Sequence, residues 1–208
     1  MKRLLFISVA VLLLIVVFSS CSSRPTVRRV DEGTSVDLTG RWNDTDARIV
    51  SNSLINDCLN SPRVQQFIQE YSVQNNGRMP VSLVGSFRNQ SSEHIDTAII
   101  ARSMEAAILN SGRMDFVAGG DTREELRTER QDQQWNASEE TRAALMNETG
   151  ANFLLTGTIS SIVDQVGRYS VRSYFVTAEL TNIETNTRLW IGENSEIIKT
   201  IRQPLFRR

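Results

Sequence analysis

Three kinds of patterning divide the chain. Leu4–Phe18 is an unbroken run of apolar or small residues behind Met1-Lys2-Arg3. Residues 22 to about 40 are polar, charged and poor in large side chains, with Pro25 the one stiff point, and read as a flexible linker. From Asp44 onward the apolar positions become periodic. Ala47, Val50, Leu54 and Cys58 share one helical stripe, which predicts a helix over 44–59. Asn60-Ser61-Pro62 stops it and starts another, with Ser61 as cap and Pro62 in the first turn. The second helix turns Val64, Phe67, Ile68 and Tyr71 inward and ends at Gln74-Asn75-Asn76-Gly77.

The period then changes. Val81–Phe87 has apolar residues on both faces, as in a strand covered twice. Ser92 is placed to cap a long helix to about Asn110, with Glu93 and His94 in its first turn. Ile95, Ala98, Ile99, Ala106 and Leu109 face one way and Ile100, Met104 and Ile108 another, so this helix is expected to be packed on two sides. Met114–Ala118 returns as a strand, making a parallel crossover. Gly119-Gly120 is a turn, and Thr122 with Glu125 matches a capping box for a helix to Gln133, followed by Trp135. Ser138 predicts one more helix, through Ala144 and Leu145 to Gly150. Asn152–Val163, Arg168–Ile183 and Arg188–Ile201 are strands joined by short turns, an antiparallel meander. The fold class is therefore α/β (α+β mixed): a mixed sheet of about five strands with helices on its faces, in one globular domain over 44–201, followed by a loose tail at 202–208.

The first apolar run spans about 15 residues, where a crossing helix needs roughly 20. A basic start, a short apolar middle and small residues at the end make residues 1–20 a secretory signal that is removed. Phe18-Ser19-Ser20-Cys21 resembles the lipobox of bacterial lipoproteins, with Phe18 where Leu is usual. That resemblance implies that Cys21 carries the lipid, that residues 21–43 are lipidated cysteine plus linker, and that the chain is anchored to a membrane. Ser22, in place of the Asp that retains lipoproteins at the inner membrane, points to the outer membrane, with the domain facing the periplasm.

Charge changes the picture mainly by exclusion. Removal of Lys2 and Arg3 leaves 21 basic against 24 acidic side chains, which gives no support for nucleic-acid binding. Lys199 is then the one lysine. With Cys21 acylated, Cys58 has no partner for a disulfide and reads as a small buried hydrophobe. His94 is the single histidine and alone builds no zinc site. Gly119-Gly120 could present amides to a phosphate, but Asp121, Glu124 and Glu125 put negative charge at the same helix end. Nucleophile-elbow, Walker and dinucleotide patterns are absent. The residues argue for no catalytic centre, no cofactor, no metal and no small-molecule substrate. The charged run Arg123–Gln134 reads first as a solvated helix. Trp135 at its end marks the same stretch, with Arg127 and Arg130, as a candidate partner surface.

Several blocks in order resemble one family. They are Leu38-Thr39-Gly40-Arg41-Trp42-Asn43-Asp44-Thr45-Asp46, Val84–Ile95, Leu109-Asn110-Ser111-Gly112-Arg113, Thr128–Gln133, Glu148–Gly157 and Leu189-Trp190-Ile191-Gly192. Together they are similar to LpoB-like lipoproteins, activators of penicillin-binding proteins, over about Leu38–Lys199. The resemblance implies a domain like the N-terminal domain of TolB and a non-enzymatic role: binding and activating a bifunctional (class A) penicillin-binding protein in peptidoglycan synthesis. The alternative is a relative of curli-secretion (CsgG-related) outer-membrane lipoproteins or a general envelope-assembly binding module. A pore would need a lipid-facing strand of about 10 alternating residues, and Ser170 and Arg172 interrupt the apolar face of Arg168–Ile183.

Overall fold

The first helix starts at a reciprocal cap. Asn43 accepts from the Asp46 amide at 3.1 Å, and the Asp46 carboxylate accepts from the Asn43 amide at 2.9 Å. From there α1 (Asp44–Asn60) buries the predicted stripe of Ala47, Val50, Leu54 and Cys58, joined by Ile55 and Leu59. The computed structural model describes residues 37–143 and 148–203. The signal run, Cys21, the linker to Val36, the Ala144–Leu145 part of the expected last helix and residues 204–208 of the tail lie outside the described residues. Helix α2 (Pro62–Gln74) begins with Pro62 as expected, but Ser61 makes no side-chain cap bond. Its Phe67 meets Phe153 edge-on, with ring centroids 4.8 Å apart.

Six strands form the sheet: β1 (Val81–Asn89), β2 (Asp115–Phe116), β3 (Phe153–Val166), β4 (Tyr169–Asn182), β5 (Arg188–Asn194) and β6 (Ile198–Arg202). The order is β2-β1-β3-β4-β5, with β6 pairing β4. β1 runs parallel to β2 and β3, while β3, β4 and β5 form the antiparallel meander. The inward face is read from alternation: Phe153, Leu155 and Ile159 on β3, and Tyr174, Val176, Ala178 and Leu180 on β4, are all buried. Helices α1 and α2 and helix α3 (Thr97–Ser111) pack on this face.

Two irregularities keep the face continuous. Val84 pairs with Leu155 but Phe87 with Gly157, so β1 carries one extra residue there. The bulge returns Phe87 to the core, and its ring occupies the space a side chain at residue 157 would need, as does the Thr177 carbonyl. The predicted last strand is two. Ser195-Glu196-Ile197 interrupts it, and β5 and β6 pair with successive stretches of β4.

Other expectations need correction. Helix α3 is capped by Asp96, whose carboxylate accepts from the Ala98 amide at 3.0 Å, so Ser92, Glu93 and His94 precede it. It buries one stripe, Ile100, Met104 and Ile108, and leaves Ile99 and Leu109 exposed, so it is packed on one side. The helix after β2, α4 (Gly120–Asn136), has Gly119 at its cap and takes Thr122 and Trp135 inside it. No helix follows Ser138 among the described residues. Ser138–Thr141 is a turn, and the Ala143 backbone is bound by the side chains of Gln133 and Gln134 instead. In the tail, Arg202 belongs to β6 and the Gln203 amide donates to Arg168.

Glu93, expected at a helix start, is drawn inside. Its side chain is 6 % exposed and pairs with Arg172. It also accepts from the Tyr174 hydroxyl at 2.9 Å and the Trp42 amide at 3.1 Å. The adjacent cross-strand position to Arg172 is Lys199. Lys199 is itself buried and donates to Asp46 at 2.5 Å, Asp37 at 2.7 Å and the Arg41 carbonyl at 3.0 Å. Residues 37–43, which the sequence assigns to the linker, are thus held on the domain. Removing one member of a buried pair strands the other charge, at a cost of about 3–5 kcal/mol. Glu93→Ala is expected to lower unfolding free energy in denaturant titrations by about that much, and to speed tryptic cleavage after Arg41, whose carbonyl Lys199 holds in the intact cluster. Glu125→Ala, at an exposed site on α4, should change stability by no more than about 0.5 kcal/mol.

Candidate interaction surface

Helix α4 is 17 residues long and buries none of them. A helix this polar gains little from packing, and a short isolated helix is marginal in water. Beyond the bonds of Gln133 and Gln134 to the Ala143 backbone, its ties to the rest of the domain are few. Arg123 Nε donates to the Ala118 carbonyl at 2.9 Å. Leu126 lies beside Phe116 and Val117 in a shallow pocket that Arg130 and Glu148 also line. The third tie is Glu148, whose carboxylate accepts from Arg127 Nε at 2.9 Å and from Arg130 Nη1 at 2.9 Å.

Charge on α4 is segregated by face. Arg123, Arg127 and Arg130 turn toward 118 and 148, while Asp121, Glu125, Glu129 and Asp132 line an open groove on the outside. Of the three residues singled out as a partner surface, the structure brings Arg127 and Arg130 together on Glu148. Trp135 stands apart from them near the end of the helix and is 87 % exposed. Glu148 was missed by the sequence reading, because a single acid 18 to 21 residues away carries no periodic signal.

No catalytic constellation accompanies this surface. His94 is exposed in the segment before α3. Cys58 is buried, and burial with the nearby Asp57 charge pushes its thiol up to about 12. Among the described residues no group of His, Cys, Asp and Glu could hold a metal ion, and no helix is long and apolar enough to cross a membrane.

The family described as peptidoglycan-synthase activator LpoB matches residues 46–196. No curated protein matches the chain. Among solved structures, the LpoB C-terminal domain from Salmonella enterica is 17% identical, with 66% of this chain and 95% of that one covered, at a TM-score of 0.34. The NMR structure of E. coli LpoB is 16% identical, covering 88% of this chain and 84% of that one, at 0.35. A lipoprotein from Neisseria meningitidis is 18% identical, covering 60% and 83%, at 0.36.

Two outcomes follow from the charges described. The hydrogen bond from Arg127 holds the Glu148 carboxyl below the ordinary carboxylate range. A depressed folded pKa means that the tie is complete above the unfolded value and is lost as pH falls through the folded one. Acid titration followed by NMR should therefore release the Arg127 Nε–H only below the ordinary carboxylate range, and Glu148→Gln should release it at neutral pH. For Cys58, thiol alkylation at pH 8 should be negligible in the native protein and should appear at the rate of unfolding; prompt labelling would contradict the buried thiol.

Proposed function

Because the chain belongs to the LpoB family of peptidoglycan-synthase activators, we infer that it is a lipid-anchored, periplasm-facing lipoprotein that binds and activates a bifunctional class A penicillin-binding protein without catalysing a reaction itself. The observation that carries this reading is the family match over 46–196, which spans most of the described domain. Cys21 is the proposed lipid attachment and the outer membrane the proposed site. Helix α4 supports a docking role, since it is solvated along its length and ends in an exposed Trp135. In this reading Trp135 is the apolar anchor. Arg127 and Arg130, earlier on the same helix and held together by Glu148, form a separate charged part of the same surface.

The tether is shorter than the sequence alone indicates, because residues 37–43 lie on the domain. Sixteen peptide steps from Cys21 to Asp37 reach at most about 55 Å when fully extended and about 22 Å as a coil. The domain therefore works near its membrane, and the partner approaches it there.

The experiment has two arms. Radiolabelled palmitate should enter the wild type and not Cys21→Ser. The domain should capture a bifunctional penicillin-binding protein from solubilised membranes and raise its rate of glycan polymerisation. Trp135→Ala should weaken that capture about tenfold while stability stays within about 0.5 kcal/mol. A captured synthase that is not stimulated, or no capture at all, would refute the activator reading.

A further inference from the structure

The β3–β4 hairpin runs past the edge of the core. Up to Ile159 and Val176 its inward side chains are buried, but Ile162, Val166, Tyr169 and Val171 are exposed. The unbroken register pairs Val166 with Tyr169 and Ile162 with Ser173, which puts all four on the outward face, opposite Arg172 and Tyr174. Ile198 on β6, paired with Ser173, extends the same face and is also exposed. A two-residue turn, Gly167-Arg168, closes the hairpin, with Gly167 at φ +58°. The result is an apolar hairpin tip, and such patches mark interaction surfaces.

What lies near the tip identifies its occupant. Lys199 holds Asp37, and Gly40 abuts the side chain of Ile201, which pairs with Ser170 on the hairpin itself. The tether therefore leaves the domain at the hairpin end. Lys199 is level with Arg172 and so with Val163 on β3, ten residues from Phe153, so the opposite end, near Val73 and Val81, lies about 33 Å further away. A tether with a coil length of about 22 Å brings the hairpin end, not the far end, to the surface where its lipid sits. Arg168 and Arg202 flank the apolar residues, with the Arg202 guanidinium 5.4 Å from the centre of the Tyr169 ring. One acid, Asp164, stands across from Val171 on the same face. Tyrosine at the headgroup level and arginines that keep their charge in water while their stems cover apolar surface suit a phospholipid interface.

We propose that the β3–β4 hairpin tip docks on the phospholipid surface of the membrane that carries the Cys21 lipid, giving the domain a second, reversible contact and a fixed orientation. This rests on the lipid-anchor reading. The contact is peripheral, since Ile162–Val166 spans far less than the 9–11 residues of a transmembrane strand.

The test uses the full lipid-bearing protein recovered from membranes, with a bimane fluorophore at Val166→Cys or, as control, at Val73→Cys at the far end. Cys58 is buried and stays unlabelled. On vesicles of phosphatidylethanolamine and phosphatidylglycerol, the label at 166 should shift to the blue and be quenched by nitroxide-bearing phospholipid. The label at 73 should remain water-like. Palmitate-bearing, vesicle-bound protein whose label at 166 stays water-like would overturn the docking while leaving the anchor intact. A blue shift already present without vesicles and growing with protein concentration would assign the tip to a second copy and overturn it as well. Protein lacking palmitate would remove the anchor and the docking together.

Discussion

The burial of Glu93 against Arg172 is the constraint around which the lower half of this domain is arranged. Taking each charge out of water costs several kcal/mol, and only close pairing with further hydrogen bonds offsets it. Glu93 obtains those bonds from three separate places: Arg172 and Tyr174 on β4, and the backbone of Trp42. All of them must be in position together. Beside this pair, Lys199 satisfies its three donors on Asp37, Asp46 and the Arg41 carbonyl. A compact ammonium with three donors suits three acceptors arriving from different directions, where the planar fork of an arginine would not. It is the one lysine of the chain besides Lys2.

Asp46 joins this cluster to the helical layer. The same carboxylate that caps α1 through Asn43 accepts from Lys199 on β6. The start of the first helix, β6 and residues 37–43 therefore meet at one cluster. Asp37 is bonded to Lys199, which stands across from Arg172 on β4, so residues 37–43 and the hairpin strands are held together.

How much of this could be read from the chain depends on the range of each interaction. Ala47, Val50, Leu54 and Cys58 declare a helix because their spacing is local. The alternation of Tyr174, Val176, Ala178 and Leu180 declares a half-covered strand in the same way. The mixed sheet and its parallel-then-antiparallel order followed from such patterns, whereas the family whose model matches 46–196 was legible only as a resemblance of short blocks in order. Glu93 was misplaced because its partner lies 79 residues away, while a helix start three residues on offered a local explanation. Gly157 gave no signal either, since the reason for it is the Phe87 ring brought over it by a bulge in another strand. On the candidate surface the exposed Trp135 and the arginine spacing were legible, but the acid that holds Arg127 and Arg130 was not.

Helix α4 is the exception to the rule that tertiary burial makes the helix. It has no buried residue and hangs on a carbonyl contact, one half-covered leucine, a shared carboxylate and two glutamine bonds to the Ala143 backbone. Exposed ion pairs of this kind contribute little each, typically 0–1 kcal/mol. The helix therefore belongs to the low-stability end of the domain, where local opening is cheapest. Such an element is poorly suited to supporting a core and well suited to meeting a partner. Ordering it on contact would cost binding energy, and the Glu148 tie lowers that cost by holding Arg127 and Arg130 in place beforehand. The acidic outer face stays solvated throughout. What the helix lacks in packing is what leaves Trp135 uncovered.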